Sequence, residues 1–479
     1  MRSQDEVDLE RKPLLDRRSR RLFQILNYNW TIFPCTAFLS FLGTRKNCLC
    51  LFHAYWSAVG VYSLMVWAGV PEAIVQPGVL WTRDCTIITL IITPFLLAQF
   101  PPYYILWGMC LPIRPFSYAQ APKQRSFRSL RVVLVTKATN IQGSTTVLHT
   151  VELWKPLSQA FRLSFVVVVD SAHNPFTTLL PSWVEQLQCP PSFQAARATH
   201  KARVLEWYRR HSSLTDRDWV LHLDEETEID DYLMQACLDF IERGSDDIGM
   251  GTIYYNASSH WKHPFTTVAE ILRIAENFGR YQLPVRFFRQ PLLGFMRGSF
   301  LLLNGTVENA VTWDTDCLTE DHWFAYYAAK QGFKFGWLNA IAREQAPSTL
   351  GDLLRQRRRW YSGELMIPSW ALRVMVVFNM LEFVAHFCLM MTMIYGGWSI
   401  SVSYGFFVWT TFNLAVLLHG RVVACLMEDL DCHATALLDI PVHVVLTVVL
   451  APVVDLVQAA TFLSAVVWPT REFTVIRKD

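Results

Sequence analysis

Asp224-Glu225-Glu226 directly follows the apolar run 219–223. If that run is a strand that continues, alternation puts Asp224 and Glu226 on one side, where two carboxylates can share a divalent cation and a diphosphate. The same acids also suit a helix start, because Thr227-Glu228-Ile229-Asp230 follows and negative charge favours helix N-termini. A second cluster, Glu320-Asp321, is preceded by Asp314 and Asp316 and followed by His322, Trp323 and Phe324. It reads either as a helix start capped by Thr319 or Asp316 or as the seat of a general base. A carboxylate among other carboxylates has its pKa pushed up, which suits proton abstraction. The third cluster is Gln356-Arg357-Arg358-Arg359-Trp360, on an amphipathic segment over 349–366. Flanking charge beside a membrane span accounts for these arginines when they are taken alone. Phosphate binding by Arg with sugar stacking on Trp is the alternative.

Groups so far apart in sequence need a fold to gather them. Apolar β-branched runs at 131–136, 164–169 and 218–223 alternate with helical patterns at 145–160, 199–211 and 230–243. Strand, helix, strand in repetition predicts a parallel or mixed sheet covered on both faces, with ligands at the carboxyl ends of its strands. No G-x-G-x-x-G follows the first strand and no G-x-x-x-x-G-K-[ST] occurs, which argues against dinucleotide oxidoreductases and P-loop NTPases.

Composition adds a membrane. Charged residues are 18% of the 479, against about 25% in soluble domains, and hydrophobic residues reach 52%. The 43 Lys+Arg against 41 Asp+Glu leave a net charge of +2, which gives no support to nucleic-acid binding through a cationic surface. Uncharged stretches at 22–44, 47–71, 85–113 and 383–420 approach or exceed the roughly 20 residues a spanning helix needs. The chain therefore reads as a basic tail (1–21), an interfacial helix (22–44), two transmembrane helices (45–116), an α/β domain (117–370), three or four C-terminal transmembrane helices (371–468) and a tail (469–479). Positive charge before and after the first pair of spans places both its ends, and the domain, in the cytosol. Cys48 and Cys50, near a membrane boundary, are candidates for palmitoylation, and the other cysteines read mostly as small buried hydrophobes. Glu382, His386 and Asp455, in apolar spans, suggest either an acceptor-lipid path or interhelical bonds.

Strand-terminal acids, an acidic pair and Gln-x-x-Arg-Trp, in that order, resemble the family 2 glycosyltransferases. The nucleotide-sugar domain of that family, of GT-A type, carries a D-x-D-like motif, a T-E-D motif and Q-x-x-R-W. The likeness covers about residues 128–370, and the flanking apolar blocks fit the membrane-integrated branch. His-Leu-Asp-Glu-Glu-Thr (222–227), Arg-Gly-Ser-Phe (297–300), Glu-Asp-x-x-Phe-Ala (320–325) and Thr-Leu-x-Asp-Leu-Leu-x-Gln-Arg-x-Arg-Trp (349–360) look like the egghead-type β-1,4-mannosyltransferases, which move mannose from GDP-mannose to glucosylceramide.

The resemblance implies an α/β GT-A-type domain set between N- and C-terminal transmembrane helices. It makes Asp321 the catalytic base and Asp224 with Glu226 the ligands of a divalent cation, Mg²⁺ or Mn²⁺, Glu226 standing where the family has Asp. Asp170, Lys201, Arg203, Asp224, Glu225, Gln356 and Arg359 then belong to the nucleotide-sugar site, and Trp360, Glu320 and Gly298 to the acceptor. Asp170 is followed by Ser-Ala-His-Asn, which departs from the usual run. The implied partners are GDP-mannose, a glucosylceramide-like lipid and the bilayer of the endoplasmic reticulum or Golgi. A processive polysaccharide synthase of the same family is the runner-up, and a transporter or receptor with a soluble regulatory domain is the reading from another class.

Overall fold

The computed structural model describes residues 127–137, 141–161, 163–171, 174–257, 260–375, 377, 404–432 and 435–471. The helices expected within 22–116, residues 383–403 of the uncharged stretch 383–420, and Cys48, Cys50, Glu382 and His386 lie outside the described residues.

A seven-stranded mixed sheet flanked by helices forms the centre. In chain order the elements are β1 (Ser129–Thr136), α1 (Ile141–Ala160), β2 (Ser164–Val169), β3 (Val184–Gln188), α2 (His200–His211), β4 (Asp218–Leu223), α3 (Asp231–Arg243), β5 (Ile248–Tyr254), α4 (Pro264–Glu276), α5 (Leu283–Phe288), β6 (Phe300–Asn304), α6 (Gly305–Ala310), α7 (Glu320–Lys330), β7 (Phe335–Arg343), α8 (Leu350–Met366), α9 (Tyr404–Asp431) and α10 (Ile440–Val467). The sheet order is β3-β2-β1-β4-β6-β5-β7. Only β6 runs against its neighbours, β4 on one side and β5 on the other.

Why these segments are strands follows from burial. After Ser164 every residue of β2 is buried, and all six of β4 are. Strands buried along nearly their whole length are what a sheet covered on both faces requires. Helix ends are set by local bonds. The Asp230 side chain accepts from Leu233 N and starts α3, and Gly244 at φ 58° ends it. At α8 the Thr349 hydroxyl accepts from Asp352 N at 3.1 Å and donates to Asp352 Oδ2 at 2.6 Å.

The described residues divide into two compact units: 127–267, 280–377 and 457–471 form the α/β unit, and 268–279 with 404–456 belong to the second. In the second unit, Asp455 of α10 accepts two bonds from Arg421 of α9, at 2.5 and 2.7 Å. This ion pair is an interhelical bond of the kind proposed for a charge in an apolar helix. Near the end of the block expected to hold three or four C-terminal helices, Ile440–Val467 is a single helix, α10, with Pro452 inside it. Among the described residues α10 is the one helix long and apolar enough to cross a membrane, by length and composition.

Candidate active site

The chain steps outward from β1 to β2 and β3, then returns to place β4 on the other side of β1. The carboxyl ends of β1 and β4 therefore feed in opposite directions, which opens a crevice of the kind where α/β sheets bind ligands. Thr136 pairs with Val169 and Leu134 with Leu223, so Lys137, Asp170 and Asp224 all leave the sheet at this edge. Because β6 is antiparallel, its first residue Phe300 lies opposite Leu223, and the backbone enters the same edge through Gly298.

The alternation expected to put Asp224 and Glu226 on one strand face does not occur, since β4 stops at Leu223. The three acids form a turn closed by Thr227 N donating to Asp224 O at 3.1 Å. Nor do they start a helix, because α3 begins at Asp231 with its own cap. Glu225 turns its carboxylate to the Thr136 hydroxyl at 2.7 Å, and its carbonyl accepts from Thr150 at 2.7 Å. It braces the turn to β1 and α1, whereas the resemblance assigns it to the nucleotide-sugar.

Facing this turn is α2. Lys201 is ion-paired with Asp224 and lies 3.6 Å from Glu320 Oε1. Burial would lower its pKa, but Asp224, Glu320 and Asp321 more than offset that and hold the ammonium above its ordinary value. Arg203, two residues on, is ion-paired with Asp170 and donates to Phe193 O at 2.8 Å. Asp314 is drawn away from the acidic pair: its two oxygens accept from the backbone N–H groups of Ala196, Arg197 and Ala198 at 2.7–3.1 Å. It orders the loop that leads into α2.

Asp321 lies in the first turn of α7. Thr319 is the N-cap residue but makes no side-chain capping bond, so the capping explanation for this acidic pair is only half met. Gly298 N donates to Asp321 Oδ2 at 2.8 Å, and His322 N to Oδ1 at 2.8 Å. A Cβ on Gly298 would lie 3.0 Å from Asp321 Cβ, so the glycine is what permits this approach. Burial and the adjacent Glu320 raise the Asp321 carboxyl to about 6, against the lowering effect of Lys201 and the two backbone donors. His322 was not singled out as a candidate. It is buried, with Nε2 3.0 Å from Leu293 O, and burial pulls its pKa down to about 4. It braces the backbone leading to Gly298, and an apolar neighbourhood around one histidine gave little sign of that in sequence.

The third cluster arrives on α8. Burial pulls the Arg359 guanidinium below its ordinary value, while Glu320, Asp224, Asp321 and Glu226 pull it back up, so all four acids lie within its field. Gln356 is buried and accepts from Arg357 at 2.8 Å, and Arg357 stacks over the Trp360 ring 4.4 Å from its centroid. Gly363, inside the helix, was also missed. A Cβ there would come within 2.8 Å of Thr319, so its hydrogen lets α8 touch the start of α7. An isolated glycine in a helical pattern was the available signal.

Residues 219–423 match the family described as glycosyl transferase family group 2. The chain is 31% identical over 175 residues to the β-1,4-mannosyltransferase egh of Drosophila melanogaster, covering 36% of this chain and 38% of that protein. It is also 31% identical over 209 residues to the β-1,4-mannosyltransferases bre-3 of Caenorhabditis briggsae and Caenorhabditis elegans, covering 42% of this chain and 45% of each. The match thus spans less than half the length of these curated relatives. Among solved structures, the mannosyltransferase PcManGT from Pyrobaculum calidifontis, in complex with GDP-Man and Mn²⁺, aligns with a TM-score of 0.41 at 12% identity, covering 80% of this chain and 98% of that one.

No three His, Cys, Asp or Glu side chains among the described residues form a closed metal shell. Asp224 and Glu226 on an open turn nonetheless fit a hard cation that fills most of its shell with phosphate oxygens and water, as Mg²⁺ commonly does.

Proposed function

We propose that this protein moves one mannosyl residue from GDP-mannose to the glucose of a membrane glycolipid of the glucosylceramide class, forming a β-1,4 linkage. The observation that carries the reading is the convergence of Asp321, Lys201 and Arg359 with the Asp224–Glu226 turn at one sheet edge. The named relatives support mannose as the sugar. The GDP carrier and the lipid acceptor follow from the resemblance.

The residues divide the work by charge. Arg359, with Lys201 freed from Asp224, neutralises the leaving diphosphate. Asp224 and Glu226 would hold a divalent ion, which when bound would add to the neutralisation of that charge. Asp321, ionised, accepts the proton of the acceptor hydroxyl. The hydroxyl oxygen forms its bond to the anomeric carbon as the bond from that carbon to the phosphate oxygen breaks, and the electron pair leaves with GDP. One displacement from the opposite face converts an α-linked donor into a β-linked product. Trp360, with Glu320 and Gly298 beside the base, serves the acceptor sugar, which a lipid presents without leaving the bilayer. Positive charge flanking the first apolar pair supports a cytosolic catalytic domain, and the resemblance supports the endoplasmic reticulum or Golgi.

Purified protein in lipid nanodiscs, given a panel of nucleotide-sugars and glucosylceramide, tests this by mass analysis of the lipid. One added hexose from GDP-mannose is expected. A ladder of hexoses favours a polymer synthase, and no transfer to any glycolipid defeats the acceptor assignment.

A further inference from the structure

Helix α8 has two faces with different partners. At about 100° per residue, Gln356, Arg359, Trp360 and Gly363 fall on one stripe, and Arg358, Tyr361, Ser362 and Leu365 on the opposite one. The first stripe carries the Q-x-x-R-W residues and presses Gly363 against Thr319, the cap residue of the helix bearing Asp321. The Cys317 thiol adds a bond to Gly363 O at 3.3 Å.

The second stripe is covered by residues 462–470. Arg358 Nη2 donates to Trp468 O at 2.6 Å, and Thr470 N donates to Ser362 Oγ at 3.1 Å. The rings of Tyr361 and Phe462 meet edge to face, with centroids 4.9 Å apart. Ser362 is 1% exposed and Phe462 5%, and Tyr361, Leu365 and Val466 pack on the same core cluster. These contacts are internal to the α/β unit, to which residues 457–471 belong although the start of α10 does not.

We infer that residues 462–471 form a positioning strap for the active site, clamping α8 from behind so that Arg359 and Trp360 stay against the helix that carries Asp321. The inference rests on the proposed transferase reading for its kinetic consequence, but not for the contact itself. Nothing in this segment touches the reacting groups. Its effect passes through α8: with the strap released, α8 keeps its N-cap at Thr349 and loses the restraint on its last two turns. Misplacement of a positioning group by about 1 Å can cost on the order of 100-fold in rate.

Ser362→Ala and Thr470→Pro remove the acceptor and the donor of one strap bond, and the pair Ser362→Cys with Thr470→Cys allows it to be replaced by a covalent one. The single variants are expected to lower kcat roughly 10- to 100-fold while circular dichroism stays that of the parent. Oxidising the double-cysteine protein is expected to restore turnover, and reducing it to abolish the gain. A merely structural role would give unfolding without recovery on oxidation, which overturns the inference, as does unchanged kcat in both single variants. Hydrogen exchange over 350–366 and 319–321, measured without substrate, reads the strap independently. Faster exchange there in Thr470→Pro supports it even if the parent transfers nothing from GDP-mannose, a result that would sink only the transferase reading, and unchanged exchange overturns it.

Discussion

Asp321 can act as a base only when ionised, and burial beside Glu320 makes that ionisation harder than for an ordinary aspartate. Turnover is therefore expected to rise with pH along an acid limb near 6 and to level off above it. Glu320→Gln removes a raising charge, so the limb should move to lower pH, and a limb that stays put in the pH–rate profile would detach it from Asp321. Asp321→Asn should cost roughly 10²- to 10⁴-fold in turnover with donor binding nearly intact by calorimetry. The same raised pKa has a stability consequence. A carboxyl whose folded pKa lies above its unfolded one favours the fold at low pH, and loses that contribution as pH climbs through the folded value. Asp321→Asn is thus expected to melt above the parent at pH 8 but not at pH 4, and equal melting at pH 8 would show that ionisation of Asp321 carries no such cost.

At the scale of elements, the site depends on how closely α7 and α8 approach, which makes Gly363 a useful probe. Glycine to alanine inside a helix usually stabilises by about 0.5–1 kcal/mol. Here the added Cβ meets Thr319 N and Oγ1 at 2.8 Å, so the sign should reverse to a loss of about 1–3 kcal/mol. Thermal melts of Gly363→Ala check this, and a higher melting temperature would mean the two helices are not in tight contact. Much of this architecture was legible. The strand runs expected at 164–169 and 218–223 are β2 and β4 at the same residues, and the amphipathic segment 349–366 is α8 with its cap. What was not legible depended on backbone partners that carry no side-chain signature. The N–H of Gly298 reaches Asp321 across 23 residues. Asp314 looked like part of the acidic pair, yet N–H groups more than 110 residues upstream claim it. Glu225 and Glu226 are identical by type and adjacent, and only the register of β1 against β4 sends the first to Thr136.

For the whole molecule, the proposed orientation in the membrane needs a better reporter than the N-x-[ST] tripeptides that begin at Asn256 and Asn304. Asn256 is 4% exposed, and Asn304 caps α6 through Thr306 N while donating to Asp216 O at 2.7 Å. Neither can carry a glycan without disturbing the fold, so a missing glycan at either says little about the compartment. The strap supplies the reporter, because Trp468 and Thr470 are bonded to α8 and must therefore lie on the same side of any bilayer as the α/β unit. If α10 crosses, its other end and the exposed Leu437 and Leu438 before it lie on the opposite side. An epitope after Arg471 in sealed microsomes should then be digested by added protease together with the α/β unit, while one inserted after Leu438 should survive until detergent is added. Digestion of both epitopes would place α10 along the membrane surface, without crossing it. Protection of the C-terminal epitope while the α/β unit is cut would contradict the strap and the topology together.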